Sequence, residues 1–229
     1  KWNDFKPEGE GLWIFPDSST DIGEFTLENF LALSSLVLET LFGEFEGDSI
    51  DVTMKNGEVT TLYHGYGVMT WPDGRRYEGE WAKNAFVKGV MTWPDGERYE
   101  GEWDLMTENG DGHATYPGGA EYIGKWKDGK WHGQGIYKDA GRTYEGEFRY
   151  NLFHGKGKIS FTNGDRYEGQ FINNLYHGLG VYSNNLGYHY KGAFKVGYEH
   201  GQGSYYIESN SEKYEGEFQD GLKHGQGVY

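Results

Sequence analysis

The fold is decided by the six residues from Arg76 to Trp81, which read RYEGEW. Their core is a tyrosine, any residue, a glycine, any residue, and then a tryptophan or phenylalanine. The same pattern returns at intervals of 22 to 24 residues. The seven copies begin at Tyr77, Tyr99, Tyr122, Tyr144, Tyr167, Tyr190 and Tyr214. A regular interval of this length indicates a repeat protein built from one supersecondary unit.

A second signature, His-Gly-x-Gly, lies between copies of the first. Its histidines are His64, His132, His154, His177, His200 and His224. In the two remaining units, the spacing places Phe86 and Asn109 where the histidine is expected. The histidine is interpreted as a turn residue beside a glycine of positive φ.

Each unit is predicted to be a β-hairpin. In one unit, Val68 to Trp71 is strand-like, Pro72 to Gly74 is a turn, and Arg76 to Trp81 is a second strand. Side chains alternate along a strand, so the tyrosine, glycine and tryptophan share one face and the glutamates share the other. A neighbouring aromatic ring can lie over the glycine. The chain is therefore predicted to be all-β, a single-layer, extended antiparallel sheet of tandem hairpins with an aromatic core.

The two signatures together resemble the MORN repeat, over at least residues 64–229. The resemblance implies a solenoid of hairpins and a non-enzymatic scaffold for protein–protein interaction within a larger assembly. Such arrays occur in cytoskeletal, ciliary and membrane-associated assemblies, so protein partners are expected. Two alternatives stay open. Similar arrays precede lipid-kinase and lysine methyltransferase domains, which would make this chain a regulatory segment of a larger enzyme. The family name also suggests a lipid- or membrane-binding module.

Both ends of the chain have the spacing of interrupted repeats. Residues 1–25 match a degenerate unit, with Asp21 in the tyrosine place. The last residues, Gly225 to Tyr229, match the first strand of a further unit and carry no polar cap. A terminal strand exposes unpaired N–H and C=O groups. The array of residues 64–229 is therefore expected to continue beyond the chain end or to pair edge to edge with another chain.

Residues 26–63 break the period and are interpreted as an insert. Thr26 is the candidate N-cap of a short helix running to about Phe42, and a strand is the alternative. Residues 52–62 are predicted to form a hairpin with a tight turn at Asn56-Gly57.

The composition narrows the classes of function. The 229 residues include 38 Gly, 19 Tyr, 13 Phe and 8 Trp, which argues against a helical or a disordered protein. A net charge of −15 argues against a nucleic-acid partner. Cysteine is absent, which excludes a disulfide framework and cysteine-ligated zinc. This fits an intracellular location that is cytoplasmic, cytoskeletal or peripheral to a membrane.

No catalytic, cofactor-binding or metal site is predicted. The histidines recur once per hairpin, so neighbours lie about 10 Å apart, too far to share one zinc ion. The glutamate pairs, such as Glu145 and Glu147, all have the same setting, so nothing separates an acid from a base. They are predicted to form a solvated acidic face. Gly124 to Lys130 resembles a phosphate-binding loop, but Trp131 stands where a hydroxyl is needed.

The remaining candidate site is the aromatic face in the middle of the array. If the sheet curves, this face forms a groove for a peptide. The predicted partner groove is lined by Tyr122, Trp126, Tyr144, Phe148, Tyr167 and Phe171. The alternative is a ladder packed only on itself, which serves stability alone. Lipid binding would instead require a cluster on one edge of Lys125, Lys127, Lys130, Lys156 and Lys158.

Overall fold

The computed structural model describes residues 9–14, 20–25, 43–54 and 57–229, the first two ranges for the backbone only. All regular secondary structure in these ranges consists of β-strands, as the repeats predict. Residues 26–42, for which a short helix was predicted with a strand as the alternative, lie outside the described residues. The strands are β1 (Gly9–Ile14), β2 (Thr20–Phe25), β3 (Glu44–Thr53), β4 (Val59–Thr70), β5 (Arg76–Ala82), β6 (Ala85–Thr92), β7 (Arg98–Asp104), β8 (Thr107–Thr115), β9 (Glu121–Lys127), β10 (Lys130–Lys138), β11 (Arg142–Arg149), β12 (Leu152–Phe161), β13 (Arg166–Ile172), β14 (Leu175–Ser183), β15 (Tyr188–Lys195), β16 (Tyr198–Ile207), β17 (Glu212–Gln219) and β18 (Leu222–Val228).

Strands β3 to β18 belong to one antiparallel sheet, in which the order of the strands follows the order of the chain. Strands β1 and β2 pair with each other in a separate sheet. The chain divides into two compact units. The first holds β1 to β6 and the end of β7, and the second holds the rest of β7 and β8 to β18. Within each unit, hairpin follows hairpin without a crossover, which confirms the predicted array.

The register places glycines of neighbouring strands opposite each other, with a tyrosine ring across them. Gly146 of β11 pairs with Gly157 of β12. A Cβ atom added to Gly157 would lie only 2.4 Å from the hydroxyl oxygen of Tyr144. That hydroxyl donates a hydrogen bond to the backbone carbonyl of Glu147 at 2.8 Å. All seven repeat tyrosines donate to the carbonyl three residues later. The predicted packing of aromatic rings over glycines is confirmed.

A second aromatic side chain, nine residues after the repeat tyrosine, completes the core of four repeats. The stacked pairs are Tyr77–Phe86 at 3.9 Å, Tyr122–Trp131 at 4.7 Å, Tyr144–Phe153 at 3.9 Å and Tyr167–Tyr176 at 3.8 Å between ring centroids. The tryptophan or phenylalanine of the motif meets the same tyrosine edge-on, as Phe148 meets Tyr144 at 5.0 Å. Stacked and edge-on pairs are the arrangements that aromatic rings prefer. One face of the sheet is therefore filled by its own rings.

The placement of Phe86 corrects the assignment made from spacing. Phe86 pairs with Trp81 and stacks on Tyr77, so it occupies the stacking position and not the histidine position. The reason is a shorter bulge. The register between β5 and β6 shifts by one residue, whereas the register between β11 and β12 shifts by two.

At one edge of the sheet, the hairpins close with two-residue turns in which both residues have positive φ. Asn173 and Asn174, for example, have φ values of 50° and 69°. This is the turn that matches the twist of the flanking strands, and it favours asparagine and glycine. Asn174 also contacts the preceding hairpin, because its N–H donates to the carbonyl of Phe153 at 3.0 Å. Asn84 and Asn151 make the equivalent contacts with Tyr63 and Trp131.

Strands β3 and β4 extend the array into the segment interpreted as an insert. Gly47 pairs with Gly67, and Phe45 stacks on Tyr63 with a centroid separation of 3.7 Å. These are the glycine pairing and the ring stacking of a repeat. The tyrosine of the motif is replaced here by phenylalanine, which hides the unit from a search for the motif.

The two hairpins predicted before the array are present in the backbone. Thr53 pairs with Val59, as a hairpin within residues 52–62 requires, and Asn56 of the predicted tight turn lies outside the described residues. In the first sheet, Gly11 pairs with Gly23, which is the glycine pairing that a degenerate repeat in residues 1–25 requires.

Candidate partner-binding surface

The six residues of the predicted partner groove all lie on the aromatic face and are all buried. Their exposed fractions do not exceed 8%. Phe148, for example, packs edge-on against Tyr122 at 4.9 Å and against Tyr144 at 5.0 Å. A partner on this face would therefore find almost none of the surface of these rings accessible. The involvement of Tyr122, Trp126, Tyr144, Phe148, Tyr167 and Phe171 in partner binding stays a prediction.

The opposite surface, called the open face below, carries the accessible side chains of the second unit. Its central row follows from cross-strand pairing and consists of His113, Ile123, Ile136, Glu145, Lys158, Glu168, Val181, Lys191, Ser204, Glu215 and Val228. Ile123 and Ile136 are neighbours in this row and are 48% and 42% exposed. The face predicted to be acidic is thus a mixture of charged and aliphatic side chains.

Cross-strand ion pairs join several charges of the open face. Lys125 Nζ lies 2.6 Å from Asp111, and Lys158 Nζ lies 2.7 Å from Glu145. The partner carboxylates raise the pKa values of both lysines. Exposed pairs of this kind contribute little to stability.

The five lysines considered for lipid binding lie in two places. Lys127 and Lys130 face each other across the turn between β9 and β10. Lys125, Lys156 and Lys158 project from the open face. Since Lys125 and Lys158 also have carboxylate partners, the five do not form one unpaired basic edge.

The second glutamate of the motif has a structural role that the sequence analysis did not assign. Glu147 accepts a hydrogen bond from the backbone N–H of Lys156 at 2.9 Å, and Glu102 accepts one from Asp111 at 3.2 Å. Each N–H follows a bulge glycine of positive φ, Gly155 in the first case. The carboxylate satisfies a donor that the bulge leaves without a strand partner. This role could have been recognised in the sequence from the constant position of the glutamate, three residues after the repeat tyrosine.

The histidines project beside these bulges. His154 is paired with Glu147, and His177 is paired with Gln170 in the next repeat. Among the described residues, no group of three or more histidine or carboxylate side chains is arranged to hold a metal ion.

In the repeats that lack the second aromatic, charged side chains occupy the stacking position. Glu108 follows Tyr99 by nine residues, and Glu199 follows Tyr190 by the same interval. Burial raises the pKa of Glu108, and the nearby carboxylate of Glu97 raises it further. Burial also raises the pKa of Glu199, although the hydroxyl of Tyr188 donates to it at 2.7 Å. The sequence analysis missed both carboxylates.

The open face is concave across β14 to β17. The concavity has a volume of about 570 Å³. Its lining includes Leu179, Val181, Lys191, Gln202, Ser204 and Glu215. Leu179 is 71% exposed and Val181 is 48% exposed, so two aliphatic side chains are accessible at one side of it.

Tandem hairpins with one face closed by aromatic rings define the chain as a β-hairpin repeat protein. The family model described as MORN repeat matches residues 62–75, 77–98, 122–141, 144–166, 167–185, 190–212 and 214–229. These matches cover more than half of the chain, so it belongs to the MORN-repeat family, as the two signatures indicated. No curated protein sequence matches it.

The chain is distantly similar to several solved structures, among them the following three. The TCP domain of Drosophila melanogaster SAS-4 (dCPAP), solved with a proline-rich motif of Ana2 (dSTIL), is 12% identical, with a TM-score of 0.40 over 73% of this chain and 89% of that one. The G-box domain of the microcephaly protein CPAP is 12% identical, with a TM-score of 0.40 over 90% and 96%. The TCP10 domain of Danio rerio CPAP is 15% identical, with a TM-score of 0.30 over 96% and 98%. Likeness this weak carries no information on function. In the described ranges, no helix has the length and apolarity needed to cross a membrane.

Proposed function

We propose that this chain is a non-enzymatic scaffold that binds a protein partner through its open face. The contrast between the two faces carries the proposal. The aromatic face is filled by its own rings, whereas Ile123 and Ile136 lie side by side on the open face with 48% and 42% exposure. Single exposed aliphatic residues are normal on a protein surface, but a contiguous apolar patch marks an interaction site.

The proposed setting is a larger intracellular assembly that is cytoskeletal, ciliary or peripheral to a membrane, as membership of the family suggests. A regulatory segment of a larger lipid kinase or lysine methyltransferase remains an alternative in which the same face would contact the enzyme. Direct lipid binding has less support, because the chain carries a net charge of −15 and Lys125 and Lys158 are paired with carboxylates.

A pull-down from extracts of the cells that make the protein tests the proposal. The test variant is Ile123→Thr with Ile136→Thr, which keeps β-branched side chains in the strands. The matched control is Ile172→Thr with Leu175→Thr, a cross-strand pair at the turn edge with 42% and 45% exposure. Proteins that the unaltered chain retains are quantified by mass spectrometry.

A partner should be lost with the first variant and retained by the control. Retention by both variants, or no specific partner for the unaltered chain, would contradict binding through the open face. Loss with the control alone would place the binding site on β13 and β14 of the same face instead of at Ile123 and Ile136. Thermal melting of each variant establishes that the sheet is folded before the comparison is made.

A further inference from the structure

The part of the open face on β12 to β15 has the opposite charge from the rest of the protein. Residues 152–195 contain five basic and two acidic residues, a net charge of +3 in a chain of net charge −15. The basic residues are Lys156, Lys158, Arg166, Lys191 and Lys195. Of the two acidic residues, Asp165 lies in the turn before β13, where it accepts the N–H of Asn185. Only Glu168 lies within the face.

The cross-strand order places an aliphatic side chain between lysines. Val181 pairs with Lys191 on one side and with Glu168 on the other, and Glu168 in turn pairs with Lys158. Strands lie about 4.8 Å apart, so the backbones of Lys191 and Lys158 are about 5 Å and about 10 Å from that of Val181. Leu179 projects from the same strand, two residues away, and borders the concavity.

Two of these lysines have no ion-pair partner in the described ranges. Lys156 and Lys191 are exposed, and neither side-chain ammonium group forms an ion pair there, although the backbone N–H of Lys156 donates to Glu147. An unpaired lysine beside an accessible aliphatic side chain offers charge and apolar contact together. At Ile123 and Ile136, by contrast, the neighbouring Lys125 is paired with Asp111. At the β12 to β15 site Lys158 is paired with Glu145, but Lys156 and Lys191 are not paired.

We infer that the open face of β12 to β15 binds an acidic peptide segment of a protein partner, with an aliphatic side chain of that segment packed on Leu179 and Val181. The inference rests on the proposed function and specifies the chemistry of the partner. Carboxylates of the segment would meet Lys156 and Lys191 directly and would compete with Glu145 for Lys158. A segment of opposite charge is drawn to this patch and repelled by most of the remaining surface, which fixes where it docks.

Selection from a phage-displayed library of random 16-residue peptides tests the inference on the full chain. Selected peptides are synthesised, and their affinities are measured by fluorescence anisotropy. The test variants are Lys158→Gln with Lys191→Gln, and separately Leu179→Ser. The charge-matched control is Lys127→Gln with Lys130→Gln, which removes two lysines from the turn between β9 and β10.

Selected peptides should combine aspartate or glutamate with leucine, isoleucine or valine. The lysine variant should weaken binding about fivefold or more, as expected when two exposed ion pairs are lost. The Leu179→Ser variant should weaken it about tenfold, and the control should leave it unchanged. Binding should also weaken as salt is raised from 0.05 to about 0.5 M, because salt screens exposed charges.

Three results would overturn the inference. The first is selection of basic or uncharged peptides. The second is peptide binding that the lysine variant does not change. The third is failure to enrich any peptide, together with binding of phosphatidylserine-containing vesicles that depends on Lys158 and Lys191. The last result would assign the patch to lipid. If the pull-down identifies a partner that the unaltered chain retains and the Ile123 and Ile136 variant loses, the proposed function stands and only the acidic-peptide inference fails.

Discussion

The side-chain oxygen of Asn174 accepts the backbone N–H of Phe153 at 2.7 Å, while the N–H of Asn174 donates to the carbonyl of Phe153 at 3.0 Å. One turn residue thus satisfies both backbone groups of a residue in the preceding hairpin. The stacked ring of Phe153 belongs to the aromatic core, so this contact fixes a core residue from the edge of the sheet. Asn84 and Asn151 repeat the arrangement at other turns.

The hydrogen bond from the N–H of Phe153 to the side chain of Asn174 is called the asparagine clamp below. Replacement of Asn174 by glycine removes this hydrogen bond and leaves the conformation of the turn unchanged. Glycine keeps the positive φ of 69° but has no side-chain acceptor for the N–H of Phe153. Leaving such a donor unsatisfied costs about 1–3 kcal/mol. Asn174→Gly should lower the free energy of unfolding by about 1 kcal/mol or more, measured by urea denaturation. The adjacent Asn173→Gly is the control, and an equal loss in both variants would show that the clamp does not stabilise the fold.

The glycine beneath each tyrosine ring should tolerate no side chain. At Gly157, an added Cβ would lie 2.4 Å from the hydroxyl oxygen of Tyr144, so the ring or the strand must move. Overpacking of this kind costs about 1–3 kcal/mol or more. Gly157→Ala should lower the urea midpoint accordingly. Gly141→Ala is the control, because its nearest neighbour would be Asp139 at 3.5 Å and its φ is not positive. A comparable loss in the control would contradict the explanation.

The turn between β7 and β8 contains two bulky residues in a conformation that suits asparagine and glycine. Leu105 and Met106 have φ values of 46° and 67°. Left-handed geometry costs an ordinary residue about 1–2 kcal/mol. Leu105→Asn with Met106→Gly should therefore stabilise the fold by about 1 kcal/mol or more, seen as a higher melting temperature. The double alanine variant keeps the strain and should give no gain. A gain from alanine would assign the effect to the exposed side chains instead.

The sequence predicts the hairpin array well because the interval between tyrosines encodes it directly. The packing of Tyr144 over glycine follows from alternation along one strand. The asparagine clamp does not, since Asn174 and Phe153 are 21 residues apart and meet only in the final register. The filling of the aromatic face by its own rings could also not be decided from the sequence. It depends on a second aromatic ring, nine residues after the repeat tyrosine, that stacks on the tyrosine. The width of each bulge decides which residue reaches that place, as the shift at Phe86 shows.

The predicted groove residues can be tested separately from the open face with Phe171→Leu. Phe171 is 1% exposed and meets Tyr144 and Tyr167 edge-on. Loss of these ring contacts should lower the melting temperature, with a cost of about 1 kcal/mol. Partner recovery below the melting temperature should stay unchanged, because so little of the ring is accessible. Loss of the partner from a folded variant would instead place the aromatic face in the interface.

Glu108 should make the stability of the fold depend on pH. It occupies the stacking position beside Tyr99, where other repeats place an aromatic ring, and burial raises the pKa of its carboxyl. The neighbouring Glu97 adds to the shift, and its own pKa is raised by burial and by Asp95. A carboxyl whose pKa is higher in the folded than in the unfolded protein is easier to bury when protonated. Its contribution to stability is therefore fully present below the unfolded pKa of about 4.3, and it is lost as pH rises through the folded value.

Glu108→Gln should raise stability at pH 7 and reduce the decline between about pH 4 and 7. Glu108→Phe should stabilise further, by restoring a ring beside Tyr99. Urea denaturation across this range measures both effects, with the exposed Glu215→Gln as the control. An unchanged pH profile in Glu108→Gln would show that this carboxyl is solvated in the folded protein.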